Sequence, residues 1–321
     1  MASLHEESFV FDAHCDTVLD WVEGRRRLTP RSTQGHIDLP RLKEGGVDVQ
    51  IFALFVAPEY HHERSLPRLL QLLDAFYREL EAHRDEMILC LTGDDLLRAK
   101  REGKVGALLS IEGAEPVGRD LARLRIFYRL GVRAMGLVWN GRNDVADGVG
   151  EARTGGGLTR FGVDVVGEME RLGMMVDVSH LSERGFWDVV AVATKPFIAS
   201  HSNARALCDH PRNLDDRQIK ALAEKGGVMG LNFYPGFLTP SGEATLDDVL
   251  NHAEHIIQLV GPQHLGLGSD FDGISTTPKG LEDVSFLPRF TEGLLARGYS
   301  EDVVKMVLGE NFLRVFREVL G

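Results

Sequence analysis

Val105-Gly106-Ala107-Leu108-Leu109-Ser110-Ile111-Glu112 is a nearly unbroken apolar run that stops on a carboxylate. Apolarity at successive positions suits a parallel strand covered on both faces. A carboxylate directly after such a run is costly unless an ion or a partner meets it. Other short apolar runs read the same way: Phe9–Ala13, Val47–Phe55, Ala134–Val138, Met174–Val178, Phe197–Ser200, Val228–Asn232 and Leu265–Gly268. Helical patterns fall between them, at Ser65–His83, Leu121–Arg129, Phe161–Leu172, Glu183–Ala193, Asp216–Lys225 and Leu246–Leu259. The first shows the 3.6-residue period in Leu66, Leu69, Leu70, Leu73, Phe76, Tyr77 and Leu80. Asp215-Asp216 opens the fifth of them and Gly226-Gly227 closes it.

Strands alternating with helices from end to end predict a (β/α)8 barrel, one domain over residues 1–321. Tail helices near Phe286–Ala296, Glu301–Leu308 and Glu310–Leu320 are expected outside it. A doubly wound open sheet competes, but it gathers its site at one switch point fed by few strands. Here chemical residues follow six different strands: His14 and Asp16, Glu112, His180, His201, Tyr234 and Asp270. Only a closed ring lets so many strand ends converge.

Composition excludes several classes. Hydrophobic residues make up 43% and charged residues 26%, ordinary for a globular domain. The formal net charge of −12 argues against a nucleic-acid partner. The N-terminal residues lack the basic start and apolar stretch of a signal peptide, and no run approaches a membrane span. Cys15, Cys90 and Cys208 are odd in number and far apart, which argues against a disulfide framework. The expected location is therefore cytoplasmic, without a membrane partner.

The chemistry lies at the strand ends. Residues i and i+2 of a strand share a face, so His14 and Asp16 point to one interior site and Cys15 points away. Glu112 has two oxygens and can ligate two metal ions at once. His180 and His201 follow consecutive strands. Imidazoles suit zinc, and carboxylates widen the choice to manganese, iron or cobalt. Together these five side chains can hold two divalent ions, and such a pair turns water into a nucleophile at neutral pH. Each motif alone has a plainer reading: His14 and Asp16 as loop caps, Glu112 as half of an ion pair, either later histidine as a structural residue. Asp270, within Gly268-Ser269-Asp270-Phe271-Asp272-Gly273, points at the site as a proton shuttle, with Asp272 a loop or supporting residue. Arg212, after His210-Pro211, would serve an anionic substrate group. His61, His62, His83, His252 and His255 read as uninvolved, the last two on the surface of an outer helix. Gly150–Gly157 reads as a mobile loop over the site.

These motifs together resemble the membrane dipeptidase (renal dipeptidase) family of metallopeptidases, within the amidohydrolase superfamily. The resemblance runs from Asp12-Ala13-His14-Cys15-Asp16 to Asp270-Phe271-Asp272-Gly273. It implies a binuclear zinc enzyme that hydrolyses short peptides, including dipeptides with a C-terminal D-residue, through water bridging two metal ions. By the resemblance His14 and Asp16 bind one zinc, His180 and His201 bind the other, and Glu112 bridges both. Arg212 corresponds to an arginine that contacts substrate, Tyr234 to a tyrosine near the substrate carboxylate, and Asp270 to the proton shuttle. Trp139 stands where the animal enzymes carry a substrate-contacting histidine; Trp donates one hydrogen bond and carries no proton. A small peptide substrate and a homodimer are the partners the resemblance implies. Two other readings compete: a hydrolase of a related amide such as a β-lactam or N-acyl amino acid, and a non-catalytic binding protein on a decayed barrel.

Overall fold

The computed structural model describes residues 3–321. Its strands are β1 (Phe11–Cys15), β2 (Val49–Phe55), β3 (Met87–Leu89), β4 (Val105–Glu112), β5 (Val132–Gly136), β6 (Met175–Asp177), β7 (Ile198–Ser202), β8 (Val228–Leu231) and β9 (Leu265–Leu267). Eight of them close into a parallel ring in the order β2-β1-β9-β8-β7-β6-β5-β4, with β4 pairing back to β2. Helices lie between the strands, and the chain is a (β/α)8 barrel as the sequence predicts. The unexpected element is β3. It pairs with the first half of β4, Met87 opposite Val105 and Leu89 opposite Ala107, while β5 takes the second half from Leu109. Three residues are too few to show any period, so the sequence gives no sign of it.

Alternation sorts the side chains into two layers. Val49, Ile51, Leu108, Ala134, Met175, Ile198 and Val228 gather inside the ring with Phe11 and Ala13. Phe52, Leu54, Ala107, Leu109 and Ile111 pack outward among the helices. The last helix, Asn311–Leu320, lies across the N-terminal end of the barrel. Its Phe312, Val315, Phe316 and Val319 join the interior cluster, and the rings of Phe312 and Phe316 each stack 5.3 Å from that of Phe11. Burying each of these side chains contributes roughly 1.5–3 kcal/mol. Gly266 makes room for them, because a Cβ there would lie 2.4 Å from the Phe312 ring. The tail helices thus pack outside the ring, as expected, and the final one is its floor.

The opposite end departs from regularity at the residues that matter. Along β1, Asp12 sits opposite Gln50 but Cys15 sits opposite Phe52, so three steps face two. That extra residue is a β-bulge. Strict alternation from Phe11 and Ala13 would turn His14 outward. The bulge resets the phase: Cys15 joins Phe52 in the outer layer, and His14 and Asp16 turn inward. Strand β7 repeats the device, with Ala199 opposite Met229 and Ser202 opposite Leu231. It sends His201 into the same interior as Ile198. Glu112 needs no bulge, since it follows Leu108 by two regular alternations.

Candidate active site

Five side chains from four strand ends meet at the C-terminal mouth, all of them buried. Glu112 is at their centre. Its Oε2 faces His14 Nε2 at 3.7 Å, and its Oε1 faces His180 Nε2 at 2.9 Å and His201 Nε2 at 3.5 Å. Asp16 Oδ2 lies 3.3 Å from His14 Nε2, and Asp270 Oδ1 lies 3.9 Å from the same nitrogen. The imidazole nitrogens of His180 and His201 approach to 2.9 Å. The backbone is strained here: His180, Asp270 and Asp272 hold φ of 69°, 63° and 67°, a region that favours glycine.

Electrostatics follow from burial and crowding. Burial pushes the Glu112 carboxyl well above its usual range; His14 partly opposes this, and Asp16 and Asp270 add to it. Asp270 is raised by the same burial, to about 6. Burial works to lower the His14 imidazole, but Glu112, Asp16 and Asp270 outweigh it and lift the value to about 10. His180 and His201 are pushed well below their usual value by burial and by the cations Arg212 and His14. The cluster therefore has one side that draws in positive charge and another that offers neutral imidazole lone pairs.

This donor set fits divalent metal. Ligand atoms of His14, Glu112 and His201 lie within 4.8 Å of one another, as do those of His14, Asp16 and Asp270. His14 Nε2 and Asp16 Oδ1 are buried with no hydrogen-bond partner among the described residues. Zinc bonds near 2.0–2.1 Å place neighbouring ligands about 3.3 Å apart in a tetrahedron. The 2.9–3.5 Å edges of the Glu112–His180–His201 triangle are of that size.

The membrane dipeptidase family model matches residues 1–320. The chain belongs to the membrane dipeptidase family. It is 37% identical over 295 residues to dipeptidase tcpJ of Claviceps purpurea, covering 89% of this chain and 69% of that one. A crystallised metallopeptidase of Rhodobacter sphaeroides, liganded with a phosphinate mimic of L-Ala-D-Ala, superposes with a TM-score of 0.92 at 33% identity, covering 97% of this chain and 99% of that one. A second metallopeptidase structure, a dipeptidase of family M19, gives 0.93 at 34% identity, with 98% and 99% covered. Membership makes the chain a peptide-bond hydrolase that depends on divalent metal.

In the dipeptidase scaffold a cavity of about 350 Å³ opens onto the cluster, touching Asp16, Glu112, His180, Arg212 and Asp270. Trp139 and Tyr234 line its wall, Trp139 with ring centroids 5.2 Å from Phe55 and 6.0 Å from His180. A larger cleft of about 740 Å³, between His61, Glu115, Arg142 and Phe161, holds none of the convergent donors. Buried Arg212 donates from Nη2 to the His201 carbonyl at 3.1 Å, and its Nε has no partner among the described residues.

Several residues around the site escape a motif reading. Asn140 Oδ1 meets His180 Nδ1 at 2.8 Å, and Asn232 donates to Asp270 Oδ2 at 2.9 Å. Two buried aspartates each grip a serine that precedes a site residue. Asp12 accepts from Ser269 N at 2.8 Å and Ser269 Oγ at 2.6 Å; Asp177 accepts from Ser200 N at 2.9 Å and Ser200 Oγ at 2.5 Å. Asp272 accepts from Thr17 Oγ1, the His36 amide and the Arg26 guanidinium, a supporting role. Two expectations need correction. His252 is not on a helix surface: it is buried, bridging the Ala204 amide and the Leu238 carbonyl. Gly150–Gly157 is not a free loop, since Val149–Thr154 forms a 3-10 helix bound to the site by Val149 N to the His180 carbonyl and Gly150 N to the Asn140 carbonyl. A Cβ on Gly150 would lie 2.7 Å from that Asn140 oxygen, so the glycine serves close packing.

Proposed function

We propose that the chain hydrolyses dipeptides with two zinc ions held by His14, Asp16, Glu112, His180 and His201. The observation that carries this reading is the split of Glu112, one oxygen turned to His14 and the other to His180 and His201. When bound, a divalent pair lowers the pKa of water and polarises the substrate carbonyl. Arg212 offers its unpartnered Nε to the terminal carboxylate of the substrate, a charge-assisted contact in a desolvated pocket. Asp270 is held by Asn232 at one oxygen and leaves the other facing the cluster. That oxygen takes the proton of the attacking water and returns it to the leaving amine. Tyr234 and Trp139 wall the pocket with Leu19, Phe55, Phe237 and Ile274, which excludes water and takes apolar side chains. A cavity of about 350 Å³ is small for a binding pocket and suits two residues rather than a longer peptide. The L-Ala-D-Ala mimic in the Rhodobacter sphaeroides relative supports including a C-terminal D-residue among the substrates.

The proposal extends to one domain, to a homodimer by family resemblance, and to a cytoplasmic location supported by three buried, unpaired cysteines. No helix among the described residues is long and apolar enough to cross a membrane. The test is zinc-reconstituted protein assayed on L,L- and L,D-dipeptides, N-acyl amino acids and a β-lactam. Zinc-dependent turnover of dipeptides is expected, and turnover confined to the other amides would overturn the assignment.

A further inference from the structure

We infer that Asp177 and Ser200 fix the tautomer of His201, and thereby decide whether its Nε2 can ligate metal. The inference rests on the metal-ligand reading of His201 and goes beyond it to residues that never touch the ion. Asp177 Oδ1 accepts two backbone donors, Ser179 N and Ser200 N, both at 2.9 Å. Asp177 Oδ2 accepts the Ser200 hydroxyl proton at 2.5 Å. Ser200 Oγ has only one proton, so toward His201 Nδ1, 2.7 Å away, it presents a lone pair. His201 must then carry its proton on Nδ1, which leaves the Nε2 lone pair facing Glu112 and His180. The neighbouring hydroxyl agrees with this direction. Ser179 Oγ accepts the His201 amide at 3.2 Å and is free to donate its own proton to Ser200 Oγ at 3.3 Å. Every donor in the chain has an acceptor, and all four residues are buried, so no solvent competes.

His180 is held by weaker logic. Its Nδ1 meets Asn140 Oδ1, and an amide can rotate to present either a donor or an acceptor. Asp177 has no such freedom, because it has only acceptors. It is a positioning residue, acting through Ser200.

Asp177→Asn tests the direction of the chain with almost no change in shape. The new amide oxygen must stay on the two backbone N–H groups, since turning it away would set NH2 against both. Its NH2 then faces Ser200 Oγ. The Ser200 proton is displaced toward His201 Nδ1, and the imidazole proton moves to Nε2, where it blocks the lone pair. Ser200→Ala removes the relay but leaves both backbone hydrogen bonds of Asp177 intact, so the tautomer is released rather than reversed. Zinc affinity at the His180–His201 side should fall roughly 10–100-fold in Asp177→Asn and by less in Ser200→Ala, the scale of losses when a metal ligand's hydrogen-bond partner is changed.

Three measurements decide the matter. Histidine 15N shifts of the metal-free protein should show His201 protonated at Nδ1 in the wild type and at Nε2 in Asp177→Asn. Chelator competition should show the ordered loss of zinc affinity. Thermal unfolding without metal should leave Ser200→Ala close to wild type, separating positioning from a purely structural role. An Nε2-protonated wild-type His201 overturns the inference whatever the metal content. So does Ser200→Ala zinc affinity equal to wild type, which decides the question even where Asp177→Asn does not fold. Wild-type protein that takes up no zinc pair would instead sink the metal-ligand reading beneath it.

Discussion

At its N-terminal end the barrel is filled by Phe11, Phe312 and Phe316, packed ring on ring. At its C-terminal end the same strands carry a buried knot of carboxylates, imidazoles and one guanidinium. The floor uses regular alternation and apolar side chains that need no partner. The mouth uses two β-bulges, three non-glycine residues with positive φ, and hydrogen bonds that run from strand to strand. One end offsets the cost of the other: buried like charges and strained backbone persist only where the surroundings over-determine them. Substitutions at the two ends should therefore separate stability from chemistry.

The largest effect is expected from Glu112→Ala, which should remove bound metal and activity together. Full metal occupancy in that variant, measured by elemental analysis, would end the bridging role. Phe312→Ala should cost about 3–5 kcal/mol of stability through the cavity left in the floor. The fraction that stays folded should keep the wild-type zinc ratio and kcat, checked by denaturant unfolding beside a dipeptide assay; a matching drop in kcat would show that floor and mouth are coupled. Asp270→Asn should retain metal and lose roughly 10²-fold or more in kcat, the scale of a lost acid–base group. Unchanged turnover would rule out the proton-shuttle role. Trp139→His should act least, shifting KM and the order of preferred dipeptides by several-fold while metal content stays fixed. A dipeptide panel ranked identically for both proteins would remove Trp139 from substrate recognition.

The readable parts of the sequence were those governed by local rules. Glu112 ends β4 in simple alternation with Leu108, and the helix Leu121–Arg129 has the bounds its pattern predicts. His14 and Asp16 do share a face, but a bulge carries that face inward, and a bulge depends on the partner strand, which the local pattern does not encode. The amphipathic tail helix announced an apolar face without saying that the face would seal the barrel. The two Asp–Ser pairs lie in no shared local motif: Asp12 reaches Ser269 across most of the chain, and Asp177 reaches Ser200 across a helix. The burial of His252 is illegible in the sequence because one buried imidazole on an amphipathic helix resembles an exposed one until its neighbours are known.

The ring closes by pairing β1 with β9, its first and last strands, and its floor is laid by residues that follow both. A ribosome therefore delivers His14 and Asp16 early and Asp270 near the end of synthesis. All five proposed metal ligands are made by residue 201, but until β9 pairs with β1 the ring that gathers them stays open, and so does the hydrophobic hole around Phe11. A chain cut short before Phe312 would expose that hole to chaperones and proteases.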